Sequence, residues 1–92
     1  MVSSGTTAKA TDGNDAVTLL PISSNGQEWD LTILNEGSVA GYFSVDAGTT
    51  WLRLPAGPAS ITGRYTITGD VQIKRIEDGT DLAGVWGWAD AK

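Results

Sequence analysis

The chain has neither cysteine nor histidine among its 92 residues. Without cysteine it can form no disulfide and offers no thiolate chemistry. Without histidine it lacks the commonest general base and the commonest zinc ligand. No glycine-rich phosphate loop stands between a strand and a helix, and no usual nucleophile–base set can be assembled. We therefore expect a protein that is not an enzyme and that uses no metal or other cofactor.

Long apolar runs and positive charge are also scarce. No window approaches the roughly 18 apolar residues of a membrane span, and the N-terminus lacks the pattern of a signal peptide. Six Lys and Arg residues face eleven Asp and Glu residues, which gives a formal net charge of −5. The basic residues are scattered along the chain. Because an acidic surface repels phosphate groups, we expect neither nucleic acid nor membrane as a partner.

Short strands separated by turn signals dominate the chain. In residues 28–35 the side chains of Trp29, Leu31 and Ile33 share one face at a period of two. Similar segments recur with turns every 8–12 residues, which is typical of a sandwich or small barrel. We predict a small all-β antiparallel sandwich or barrel of about seven strands. The predicted strands cover residues 16–22, 28–35, 41–45, 51–54, 59–68, 71–76 and 82–89.

The first fourteen residues contain almost no large apolar side chain. Such a stretch is typical of a flexible arm. We predict an N-terminal arm, residues 1–14, that a partner orders, followed by a single β-sandwich domain, residues 15–92. Within that domain residues 30–43 weakly resemble residues 70–86. Two similar hairpins in one sandwich explain this internal similarity better than two blades of a propeller do.

One eight-residue motif stands out between two predicted strands. Ser44, Asp46, Gly48, Thr50 and Trp51 occupy every fixed position of the pattern S-x-D-x-G-x-T-W. Asp46 can accept hydrogen bonds from backbone N–H groups of the turn, and Gly48 can adopt a positive φ. Ser44 and Thr50 are expected to pair across the strands, and Trp51 to cover the turn.

The motif resembles the Asp-box, a hairpin motif of sialidases and related β-propellers. In those families the box lies away from the catalytic centre, so the resemblance implies a structural turn here. The chain has only three arginines and two tyrosines and is several-fold too short for a propeller. We therefore do not extend the resemblance to sialidase activity.

Aromatic residues are the leading candidates for a binding surface. Trp86 and Trp88 share one face of the last predicted strand, while Val85, Gly87 and Ala89 share the other. An exposed tryptophan marks an interface, whereas a buried pair would belong to the core. Together with Tyr42, the two tryptophans could alternatively form a platform that stacks on sugars.

Two acidic clusters in the sequence are candidate calcium sites. Calcium takes six to eight oxygen ligands from a loop wrapped closely around it, and neither cluster has such a pattern. Solvated turn carboxylates are the favoured interpretation. The clusters are Asp12, Asn14 and Asp15, and Glu77, Asp78 and Asp81.

A looser pattern spans about residues 17–88. An I-x-N-x-G segment, residues 33–37, and a later Leu-Pro-Ala-Gly segment, residues 54–57, occupy positions that resemble those of small β-sandwich proteins in tailed bacteriophage particles. The resemblance implies a capsid decoration (cement) protein that binds and stabilises the assembled head. It implies the major capsid protein or other virion proteins as partners, possible self-association, synthesis in the host cytoplasm and a final location on the capsid surface. A sugar-binding module and a minor tail or baseplate component remain the alternatives.

Overall fold

The computed structural model describes residues 3–5, 9–22 and 26–91. It confirms the predicted all-β fold, and the described part of the chain contains no helix, hence none that could cross a membrane. Predicted and observed strand bounds differ by up to three residues. The strands are β1 (Ser3–Gly5), β2 (Val17–Leu20), β3 (Gln27–Asn35), β4 (Gly41–Ser44), β5 (Leu52–Leu54), β6 (Ala59–Ile67), β7 (Val71–Arg75) and β8 (Val85–Ala91).

The strands form two four-stranded antiparallel sheets. Sheet A has the order β1-β8-β3-β6, and sheet B has the order β2-β7-β4-β5. Eight strands in this order make a jelly roll, a double-sheet arrangement of two Greek keys. Strands whose numbers differ by four occupy equivalent positions in opposite sheets. The structure is therefore a sandwich rather than a barrel.

This internal symmetry corrects the prediction of two similar hairpins. The internal similarity relates β3 and β4 to β7 and β8. In each of these two pairs the consecutive strands lie in different sheets, so neither pair is a hairpin. Residues 30–33 lie in sheet A and their counterparts, residues 70–73, lie in sheet B. The repeated segments are therefore crossovers at equivalent positions of the jelly roll.

The core is filled from the two facing sides of the sheets. Trp29, Leu31 and Ile33 of β3 are buried, as their alternation predicts. On β8 the small residues point inward: Gly87 is buried, and a Cβ built on it would lie 2.9 Å from Leu19 Cδ2. Because Leu19 of β2 already fills that space, β8 must turn its larger side chains outward.

The two segments that carry the bacteriophage resemblance meet in one buried junction. The Asn35 side chain is fully buried, and its Nδ2 donates to the carbonyl oxygens of Val39, at 2.9 Å, and Pro55, at 3.0 Å. Its Oδ1 accepts from the Gly37 N–H, and the Gly37 carbonyl accepts from the Gly57 N–H at 2.7 Å. The paired motifs thus have a structural role, which is to join the end of β3 to the segment between β5 and β6.

Part of the predicted N-terminal arm contacts its own domain. β1 pairs with β8 at the edge of sheet A, and Lys9 exchanges backbone hydrogen bonds with Val85. The Thr11 N–H donates to the Leu82 carbonyl, and the Leu82 N–H donates to the Thr11 hydroxyl. Residues 1, 2 and 6–8, which belong to the same predicted arm, lie outside the described residues. The described arm therefore crosses the surface beside the segment between β7 and β8.

Candidate functional site

The turn between β4 and β5 has the hydrogen bonds that its sequence motif favours. The Ser44 hydroxyl donates to Asp46 Oδ1 at 2.6 Å and accepts from the Gly48 N–H at 3.0 Å. Asp46 Oδ1 also accepts from the Thr50 N–H at 2.8 Å. Gly48 has a φ of 90°, as expected from the motif, and Ala47 has a φ of 57° without being glycine.

One expected contact in this turn is replaced by another. Ser44 does not pair with Thr50, because the β4–β5 ladder ends at Phe43 and Leu52. Ser44 instead lies opposite Gln72 of β7, and its fully buried hydroxyl turns into the loop. The motif therefore closes on itself through Ser44 and Asp46 rather than through a pair across the strands.

The donors around Asp46 stabilise its charged form. The hydrogen bond from Ser44 and then the backbone N–H of Thr50 hold the pKa of Asp46 below its ordinary value, while burial acts in the opposite direction. The Asp46 carboxylate thus forms its hydrogen bonds within the turn. Its role is to hold the loop in shape and to place Trp51, which follows directly.

Trp51 lies on the outer side of sheet B beside Tyr42 and Lys74. Tyr42 of β4 is the register partner of both Lys74 of β7 and Arg53 of β5. The Lys74 ammonium is 4.4 Å from the centroid of the Trp51 ring and 5.9 Å from that of Tyr42. These distances allow cation–π attraction to both rings. The three side chains line one surface pocket of about 520 Å³, which we call the sheet B pocket.

Trp86 and Trp88 lie on the outer side of sheet A. Their rings are parallel within 5°, and the ring centroids are 6.3 Å apart. Trp88 is 43% exposed, and Trp86 is half-buried and donates its indole N–H to the Glu36 carboxylate. Across the ladder, Trp86 faces Leu34 and Trp88 faces Thr32 on β3. We call these four residues the sheet A patch.

The structure therefore separates the three aromatic residues that the sequence grouped as one surface. Trp86 and Trp88 lie together, but Tyr42 lies on the opposite sheet. A single platform of all three is not formed, because successive crossovers of the jelly roll place β4 and β8 in different sheets. Tyr42 instead belongs with Trp51 and Lys74.

No protein-family model, curated protein or solved structure matched the chain in the comparisons made. The sheet A patch and the sheet B pocket are therefore the features that bear on function. Sequence reasoning placed Trp51 in the turn but did not identify Lys74 as a partner. The only available signal was that Tyr42 and Lys74 each stand at an outward position of an alternating strand.

Two carboxylates of the acidic clusters, those of Asp78 and Asp81, contact the chain itself. Asp81 Oδ1 accepts from the Gly13 N–H at 2.9 Å, from the Thr11 hydroxyl at 3.1 Å and from Arg75 at 3.3 Å. The Gly13 hydrogen bond is the largest of the effects that lower the pKa of Asp81. Asn14 bridges Arg75 and the Asp78 backbone N–H. In the described part of the chain, no three metal-ligating side chains of the types His, Cys, Asp and Glu gather closely enough to hold a metal ion.

Proposed function

We propose that the chain is a structural protein of a bacteriophage particle, of the capsid decoration type, which docks through the outer side of sheet A. The observation that carries this proposal is the parallel pair of half-buried Trp86 and exposed Trp88 at the middle of that sheet. The sequence resemblance described above supplies the virion context. The jelly-roll topology is compatible with it, since viral capsid proteins use this fold, but lectins and cupins use it as well.

The composition of the sheet A surface suits a protein partner. β8 and β3 are the two central strands of sheet A, so the patch lies at the centre of its outer side. Polar residues of β6 flank it on the β3 side, and Arg64 pairs with Asp30 at 3.5 Å. Aromatic residues at the centre with a polar rim are the usual arrangement of a protein–protein interface.

The size of this surface also suits such a partner. The molecule measures 36 × 24 × 19 Å, so a rectangle drawn around its broadest side encloses about 860 Å². A standard interface buries about 800 Å² on each partner. The occupant that we propose is the outer surface of the assembled major capsid protein. Selective binding to the assembled shell stabilises that shell by mass action.

Co-sedimentation with capsid shells tests the proposal. The full chain is mixed with shells of the major capsid protein encoded in the same genome, and in parallel with unassembled subunits. We expect binding to the shells only, and at least about tenfold weaker binding after Trp88→Ala, because central tryptophans dominate interfaces. Leu52→Ala is the matched control, since Leu52 is a 39% exposed apolar residue on the opposite sheet.

Two outcomes would contradict the proposal. One is the absence of binding to shells. The other is equal binding by the Trp88→Ala and unchanged proteins. Saturable binding of neutral sugars that is lost in Trp88→Ala would favour the sugar-binding alternative instead.

A further inference from the structure

The sheet B pocket combines features that a protein–protein interface does not require. Besides Trp51, Tyr42 and Lys74, it is lined by Arg75, Ile76, Glu77 and Asn14. Its volume of about 520 Å³ falls in the range of small-molecule sites. It lies on sheet B, whereas the docking surface proposed above lies on sheet A. The pocket therefore calls for a separate explanation.

Lys74 is held in an unusual way for an acidic protein. The chain carries eleven acidic residues, yet within the described ranges the ion pairs are Arg64–Asp30 and Arg75–Asp81, and none involves Lys74. Two aromatic rings position its ammonium group instead. A half-buried ammonium group without a carboxylate partner can bind the carboxylate of a ligand by donating a charge-assisted hydrogen bond to it.

The remaining lining narrows the class of ligand. Lys74 covers one face of the Trp51 ring, so the rest of Trp51 and the ring of Tyr42 offer the apolar surface for the C–H side of a flat, polar molecule. Glu77 can accept hydrogen bonds from hydroxyl groups, while its negative charge opposes a doubly charged phosphate. Arg75 can donate, although Asp81 neutralises much of its charge. One accessible cation, one acceptor and two rings match a ligand with a single carboxylate and several hydroxyl groups.

We propose that the sheet B pocket binds an acidic saccharide, a sugar of the uronic acid type, with its carboxylate on Lys74. The sugar ring lies against Trp51 and Tyr42, and its hydroxyl groups meet Glu77 and Arg75. Arg53, the register partner of Tyr42, stands beside the pocket and offers a second positive charge to a longer acidic chain. This inference goes beyond the proposed docking role and uses none of the residues of the sheet A patch.

A matched pair of sugars tests the proposal directly. Glucuronate carries a carboxylate where glucose carries a hydroxymethyl group. Each sugar is titrated into the full chain at constant ionic strength. Indole N–H resonances in NMR spectra report which tryptophan is affected. We expect a millimolar Kd for glucuronate, with shifts at Trp51, at least about tenfold weaker binding of glucose, and weaker glucuronate binding as salt is raised.

Variants identify the residue that is responsible. Lys74→Gln removes the charge but keeps a long polar side chain, and we expect it to remove the preference for glucuronate over glucose. Lys9→Gln is the matched control, because Lys9 lies in the N-terminal segment and interacts there through its backbone. Circular dichroism checks that both variants remain folded.

Four results would overturn the inference: no saturable binding of glucuronate, equal affinity for the two sugars, unchanged glucuronate binding in Lys74→Gln, or binding of propionate, a simple monocarboxylate, as tight as that of glucuronate. The last would show that the pocket recognises a carboxylate alone. None of these results bears on shell binding through Trp88, so the two proposals can fail separately.

Discussion

Replacing Ser44 with alanine tests whether the turn between β4 and β5 is a main stabilising element of sheet B. The hydroxyl donates to a charged carboxylate, and such a hydrogen bond contributes about 1.5–3 kcal/mol. It also accepts from the N–H groups of Gly48, at 3.0 Å, and Asp46, at 3.3 Å. Because Asp46 is only half-buried, water restores part of the loss. We expect Ser44→Ala to lower the free energy of unfolding by about 2–3 kcal/mol.

Urea denaturation and thermal melting measure this change. For a domain of this size, each kcal/mol corresponds to roughly 4–8 °C, so the expected fall in Tm is about 8–24 °C. Ser60→Ala is the control, because Ser60 is an exposed serine of β6, and we expect it to change stability by less than about 0.5 kcal/mol. Equal stabilities of the two variants would refute the reasoning.

The pH dependence gives a second, independent measurement of the same interaction. The folded-state pKa of Asp46 lies below its unfolded value of 3.8. The stabilisation from its charged form is therefore fully present above that value and is lost as the pH falls through the lower folded-state pKa. The stability gap between the unchanged protein and Ser44→Ala should thus shrink in acid. A gap that widens would contradict the assignment of Ser44 as a donor to the carboxylate.

Two further substitutions test the other hydrogen-bonded junctions of the fold. Asn35→Ala leaves the carbonyls of Val39 and Pro55 and the Gly37 N–H without their buried partner, so we expect a loss of about 3 kcal/mol in urea denaturation. A loss no larger than that of the exposed control Ser60→Ala would contradict the structural role of the junction. Asp81→Asn weakens the contacts that hold residues 11–13, so trypsin should cleave faster after Lys9 than in the control Asp90→Asn. Equal cleavage of both variants would show that Asp81 does not hold this segment. Because the pKa of Asp81 is lowered, hydrogen exchange should show the same release in the unchanged protein only at strongly acidic pH.

Alternation along single strands made much of this fold predictable. The inward set of β3, Trp29, Leu31 and Ile33, followed from its period of two, and all three side chains are buried. The Ser44–Trp51 turn was predictable because its hydrogen bonds connect residues close in sequence. Local patterns of this kind need no knowledge of the opposite sheet.

The orientation of β8 could not be predicted from its own residues. Alternation separates Trp86 and Trp88 from Val85, Gly87 and Ala89 but does not say which set is buried. Hydrophobicity alone favours burying the tryptophans, whereas the structure buries the small residues because Leu19 of the facing sheet occupies the space. The deciding contact joins residues almost seventy positions apart.

The sheet B pocket could not be predicted from the sequence for the same reason. Tyr42, Trp51 and Lys74 belong to three separate segments, and only the order β7-β4-β5 brings them together. A count of basic residues along the chain shows scattered charges. Pairing between distant strands converts Arg53 and Lys74 into two neighbours of one tyrosine.

The pairing of β1 with β8 has a practical consequence for engineering. Ser3 and Asp90 are register partners, so β1 begins and β8 ends at the same end of sheet A. A short peptide could therefore join these two strand ends in a circular permutant. A tag or cargo domain fused at either end would emerge at the same place, beside the sheet A patch and away from the sheet B pocket. The same scaffold could then present a fused domain at one side while its opposite side stays free to bind a small ligand.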